Sequence, residues 1–215
     1  YSLSMGQIVG IMLIIILSFF NYIGLVFGSI IQNISTVLKI GALATLVVLG
    51  FIIGKGRHIE FSFGGFSTGE SSLLIGFGVA MIAVIWAYGG WNLLSFTAGE
   101  IKNPKRNIPL SLIFGVLGVA AIYIAVNYIY LYALPMDEMT GVVRVAEKAA
   151  TVLFGGTAAA FITAAVVIST FGALNATILT GPRVYYAMAK DNLFFKRVAN
   201  VHPRFRTPGF SIFIQ

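Results

Sequence analysis

The chain has 215 residues, of which 58% are hydrophobic and 10% charged, with a formal net charge of +7 and a mean hydropathy of +0.94. That balance excludes a soluble domain with an ordinary polar surface and points to a membrane protein. Apart from Lys39, the Lys and Arg residues sit in short loops between apolar runs, with no basic stripe, which excludes nucleic acid as a partner; the absence of cysteine excludes a disulfide framework, a thiol nucleophile and a thiolate metal site.

The chain opens on Tyr1 without a signal-peptide pattern and stops at Gln215, six residues into a new apolar run, so it reads as an internal piece of a longer protein. Hydropathy marks five spans and the start of a sixth, an all-α, polytopic transmembrane bundle. The first span, residues 6–27, is long enough for a hydrocarbon core of about 30 Å at about 1.5 Å per residue, and its interior polar groups are Ser18, Asn21 and Tyr22. An uncharged link over residues 28–33 then forces an antiparallel neighbour. Asn33-Ile34-Ser35 matches a glycosylation acceptor but abuts a membrane helix, so it carries little weight.

The second span, residues 34–53, carries Lys39 five residues in. Two readings stand there: the stem snorkels to the nearby interface, or the ammonium faces inward onto other helices. A glycine-rich polar loop follows over residues 54–71, in which Lys55 and Arg57 cancel Glu60 and Glu70. The third span, residues 72–99, is too long for one upright helix, and Gly89-Gly90 divides it into about 16 and 9 residues. Each glycine lowers helix stability by about 0.8–1.0 kcal/mol relative to alanine. Backbone loosened inside a bilayer leaves polar groups that lipid cannot satisfy, so a broken helix there is expected to face something polar.

Residues 100–109 form a compact charged loop of net +2, with Asn107 placed to cap the next helix and Pro109 tolerated in its first turn. The fourth span, residues 110–134, stops at Pro135. In the net −1 connection that follows, Val142, Val145, Ala149 and Val152 recur at helical spacing and predict a short surface helix. The fifth span, residues 155–180, is rich in small residues that allow close helix packing, with Asn175 inside it. Residues 181–208 are net +5, and an unfinished span begins at 210. The positive-inside rule puts residues 100–109 and 181–208 in the cytoplasm, which places Lys39 near the cytoplasmic end of its predicted span.

His58 and His202 fall on opposite predicted sides of the membrane and cannot meet in one site. No metal-ligand spacing, nucleophile elbow or carboxylate pair lies within the spans, and Gly76-Phe77-Gly78 is a helix-packing surface rather than a dinucleotide motif. No enzyme and no cofactor are expected. What remains polar inside the membrane is Lys39, the Gly89-Gly90 break with Asn92, and Ser169, Thr170 and Asn175. Carbonyls released around Gly89 can accept hydrogen bonds from an ammonium while aromatics close over a side chain, which is how a transporter holds a small substrate.

Trp86-Ala87-Tyr88-Gly89-Gly90-Trp91-Asn92, followed by Glu100-Ile101-Lys102-Asn103-Pro104-Lys105-Arg106-Asn107-Ile108-Pro109, resembles the sixth helix and following loop of the L-type amino acid transporters, within the amino acid, polyamine and organocation superfamily. Gly172-Ala173-Leu174-Asn175 and Arg183-Val184-Tyr185-Tyr186, leading to His202-Pro203, resemble that family's eighth helix and its exit loop. The resemblance covers nearly the whole chain and implies a partial transporter domain over residues 1–215, helices four to eight and the start of nine of the inverted-repeat, leucine-transporter-like fold. It implies a sodium-independent amino acid exchanger or permease, an antiporter working by alternating access in the plasma membrane. The alternative from another class is a transport-dead amino acid binding or sensor protein on the same fold.

By the same resemblance, carbonyls around Trp86, Ala87, Tyr88 and Gly89 receive the substrate's α-ammonium and Trp86 stands at an aromatic gate where phenylalanine is usual. Gly90 completes the break, and Asn92 braces the unwound segment or the pocket. Lys39 matches a fifth-helix lysine that takes the place of a sodium ion and ties helices together, with Ser169 or Thr170 as its partner; this favours the inward-facing reading. The first helix, which supplies the carboxylate-binding half of the site, and helices two, three and ten are outside the chain. The implied partners are therefore an amino acid, the lipid bilayer and those missing helices; the sequence leaves any accessory subunit open.

Overall fold

The structure, a computed structural model, describes residues 4–54, 56 and 70–215. Most of the polar loop read between the second and third spans, with Lys55, Arg57, His58 and Glu60, lies outside the described residues. Helix α1, Met5–Ile23, starts at a reciprocal cap in which Ser4 Oγ accepts from Gln7 N at 3.3 Å and Gln7 Oε1 accepts from Ser4 N at 2.8 Å. It ends at Gly24, and α2, Leu25–Ile52, follows at once.

The link expected at residues 28–33 is therefore helical, and the turn lies at Gly24. Polarity misled here because these side chains serve packing rather than solvent: Gln32 Oε1 accepts from Asn175 at 3.1 Å, and Ser35 is buried. The glycosylation triplet accordingly sits inside a helix. Lys39 becomes the fifteenth of 28 residues in α2, about 20 Å from either end at about 1.5 Å per residue, beyond the reach of a snorkelling stem.

The third span is broken as expected. Helix α3, Glu70–Ala87, gives way to turns over residues 88–92, then to the short α4, Leu93–Phe96, and a 3-10 turn, Ala98–Glu100. Helix α5, Pro104–Ala133, begins six residues before the predicted fourth span because Pro104 at the first position needs no hydrogen-bond acceptor. Asn107 consequently lies within the helix, where its Nδ2 donates back to the Lys102 carbonyl rather than capping.

After α6, Met136–Met139, comes α7, Val145–Phe154. Its inward face is Ala149, Ala150 and Leu153; Val152 points outward and Val142 precedes the helix, so the predicted stripe is shifted. These residues join Leu46, Ile129 and Ile162 in the main buried cluster, where α2, α5, α7 and α8 meet.

Helix α8, Thr157–Lys190, runs ten residues past the predicted end of its span, straight through Gly181-Pro182. Pro182 removes the amide that would bond the Ile178 carbonyl. Gln215 Nε2 supplies a donor to that carbonyl at 3.4 Å, and Ser211 Oγ donates to the Pro182 carbonyl at 2.7 Å, so α9, Gly209–Ile214, and the residue after it repair the proline turn.

Helices α2 and α8 run antiparallel, Leu46 lying in the cluster of Ile162, Ser35 against Gly172 and Gly28 against Asn175. Helix α1 packs beside both. Among the described residues four helices, α1, α2, α5 and α8, are long and apolar enough to cross a membrane. An ion pair between Glu100 and Arg183, at 3.3 Å, joins the two basic connections at one end of the bundle, as the charge pattern requires.

Candidate functional site at the broken helix

The break is built from glycine geometry. The Tyr88 amide still bonds the Val84 carbonyl, but Gly89 N bonds Trp86 O, three residues back, at 3.0 Å, and the four-residue ladder stops. Gly90 has φ +104°, a region that side chains with a Cβ rarely adopt. A Cβ on Gly89 would stand 3.1 Å from the Trp86 carbonyl oxygen, so both positions resist substitution. The chain closes again where Leu93 N bonds Gly90 O at 3.0 Å and Asn92 O accepts from Ser95 N and Ser95 Oγ.

What the break offers is backbone polarity. Among the described residues, no donor reaches the carbonyls of Tyr88 and Gly89, and no acceptor reaches the amides of Gly90, Trp91 and Asn92. The Ala87 carbonyl is engaged, because Tyr123 of α5 donates its hydroxyl at 2.9 Å, and the Tyr88 and Tyr123 rings meet edge-on at 5.2 Å. Tyr123 thus ties the end of α3 to the bundle. Hydropathy had no reason to single it out, since one tyrosine in an apolar run matches an ordinary packing residue.

The aromatics around the break are open: Trp86 is 87% exposed and Trp91 64%. The Asn92 side chain is exposed and makes no capping bond; its backbone carbonyl is the group that bonds, to Ser95.

Lys39 turns toward α8. Its Nζ lies 3.8 Å from where a Cβ on Gly172 would stand, beside Ser35, whose own Cβ would be 2.8 Å from that point. The bare backbone of Gly172 is what admits this approach. The expected partners do not engage it: Thr170 donates to the Val166 carbonyl of its own helix at 2.9 Å, and no hydrogen bond joins Lys39 to Ser169 or Thr170 among the described residues.

Toward the basic end of the bundle, Lys39 is followed by a fully buried amide cluster. Asn21 Nδ2 donates to the Leu17 carbonyl at 2.9 Å and to Asn175 Oδ1 at 3.0 Å; Asn175 Nδ2 donates to the Gly28 carbonyl at 3.0 Å and to Gln32 Oε1 at 3.1 Å. Three helices are joined by it. Gly28, Gln32, Ser35 and Lys39 recur at helical spacing on α2, all against α8. That stripe was hidden because residues 28–33 read as a loop.

The amino acid permease family model matches residues 3–215. The chain is 36% identical to the serine/threonine exchanger SteT of Bacillus subtilis (strain 168) over 214 residues, 98% of this chain and 48% of the relative. It is 31% identical to the human b(0,+)-type amino acid transporter 1 over 208 residues, 93% of this chain and 40% of the relative. It is 27% identical to the human large neutral amino acids transporter small subunit 2 over 204 residues, 91% of this chain and 37% of the relative. The chain thus spans about half the length of the curated relatives it matches, or less, and those relatives are named as transporters and an exchanger, not as enzymes. A helix opened at Gly89-Gly90 within a bundle of membrane-length helices, and a family match over nearly every residue, place this chain in the amino acid permease family as part of a multi-pass membrane protein.

Proposed function

We propose that the chain supplies the central helices of a sodium-independent amino acid exchanger of the plasma membrane, working by alternating access. The observation that carries this reading is the opened backbone at residues 88–92, whose Tyr88 and Gly89 carbonyls have no donor among the described residues. Backbone released in a membrane helix is tolerated where it lines a polar cavity. Carbonyls of Trp86, Ala87, Tyr88 and Gly89 then take the α-ammonium, Gly90 gives the turn its shape, Trp86 closes over the side chain, and Asn92 fixes the lower edge. Because Ala87 is already bonded to Tyr123, the Tyr88 and Gly89 carbonyls are the stronger candidates.

Lys39 supplies a fixed positive charge at mid-membrane in place of a coupling cation, with Ser169 and Thr170 three and two residues before its contact at Gly172. A relative at 36% identity is named as a serine/threonine exchanger, so L-serine and L-threonine are the first substrates to test. Proteoliposomes loaded with L-serine are expected to take up external L-serine without sodium, and Gly89→Leu or Trp86→Leu is expected to abolish or re-tune that exchange. Normal exchange with both positions changed would sink the site assignment.

A further inference from the structure

Beyond the break, toward the basic end of the bundle, lies a cavity of about 380 Å³ between α4, α8 and residues 201–208. Its polar lining is Thr97, Glu100, Arg183, Tyr186 and Arg206. We infer that this cavity is a second, cytoplasm-facing subsite for a zwitterionic amino acid, occupied on the way between the broken helix and the cytoplasm. The inference rests on the transport reading above and names a further site for the same substrate class.

Three features carry it. Arg183 is only 7% exposed, yet its guanidinium is incompletely used. Its Nε donates to Glu100 Oε1 at 3.3 Å and its Nη1 to the Leu179 carbonyl, while no acceptor reaches Nη2 among the described residues. A buried guanidinium with a free edge in a cavity is matched to an incoming carboxylate.

The second feature is the balance of charge. Two guanidinium groups and one carboxylate line the same space, so a carboxylate can bind Arg183 and Arg206 while an ammonium binds the second oxygen of Glu100. Charges of both signs in one space complement a zwitterion. The third is the backbone of Arg206, held at φ +53° by a turn in which Arg206 N bonds His202 O at 2.9 Å and buried Thr207 donates to the Tyr22 carbonyl at 2.7 Å. A non-glycine residue in that region marks a position fixed by its surroundings. The site also follows directly from α4, the short continuation of the broken helix.

The test is counterflow of L-serine in proteoliposomes of known sidedness, with KM measured separately from each face. Arg206→Gln is expected to raise the ratio of cytoplasmic to external KM about fivefold, with Arg206→Lys restoring most of it; Arg183→Lys is expected to raise the ratio further. Equal ratios in Arg206→Gln and the unsubstituted protein overturn the subsite while leaving the transport reading intact. If the unsubstituted protein shows no flux, that reading fails on its own, and equilibrium binding of labelled L-serine still decides the subsite: two sites per protein, falling to one in Arg206→Gln, support it, and one site in both overturns it.

Discussion

Two polar regions lie inside this bundle, and they are built in opposite ways. At the Asn21–Asn175 cluster both amides are fully buried, and three helices share their bonds. Among the described residues no donor reaches Asn21 Oδ1, and it fits only because Gly28 has no Cβ, which would stand 2.2 Å from it. At the break, by contrast, carbonyls and amides of the backbone itself have no partner among the described residues, and the adjoining tryptophans are exposed. Side-chain amides bonded across three helices fix those helices to one another, whereas backbone opened within a membrane helix is tolerated where it lines a polar cavity. The first region is a joint; the second is the receptor proposed above for a substrate.

The comparison breaks most visibly at the joint. Gly28→Val places a branched side chain on the Asn21 amide and the Leu179 side chain, and overpacking with loss of the amide bonds is expected to cost about 3 kcal/mol. Thermal unfolding in detergent should show a large drop in midpoint; an unchanged midpoint would mean that α1 and α2 can slide apart freely.

Lys39 stands on the α2 stripe that carries the joint, against Gly172 of α8. Lys39→Met keeps the stem and removes the charge, so folding should persist while exchange falls about tenfold, equivalent to about 1.4 kcal/mol. Unchanged kinetics in the methionine variant would return Lys39 to a packing role.

The smallest effect is expected at the edge of the break. Tyr123→Phe removes one hydroxyl bond to the Ala87 carbonyl and retains the ring contact with Tyr88. The loss should be about 1 kcal/mol, read as a few-fold change in substrate KM with little change in unfolding midpoint. A large shift in stability with no change in KM would show that Tyr123 belongs to the joint rather than to the receptor.

Much of this architecture was legible before any coordinates. Span count, the broken third span and the shared side of the two basic connections follow from hydropathy, glycine placement and charge, because lipid imposes those rules on any chain. Element ends were less legible where polar or proline residues had partners far away in sequence. Gln32 looked like a link because its partner Asn175 is 143 residues distant, and Pro182 looked like a helix end because the donor that repairs its turn is Gln215. The error at residues 28–33 also moved Lys39 from mid-membrane to an apparent interface.

The sequence by itself therefore determined that the chain crosses the membrane several times, which ends share a side, and where one helix must open. Only the tertiary structure decided which polar groups were already spent. Tyr123 takes the Ala87 carbonyl, Thr170 bonds its own helix, Gly172 rather than a hydroxyl receives the approach of Lys39, and Arg183 pairs with Glu100 through its Nε. The physical reason is that hydrogen-bond satisfaction depends on pairings between residues remote in the chain, whereas hydropathy and backbone propensity act locally.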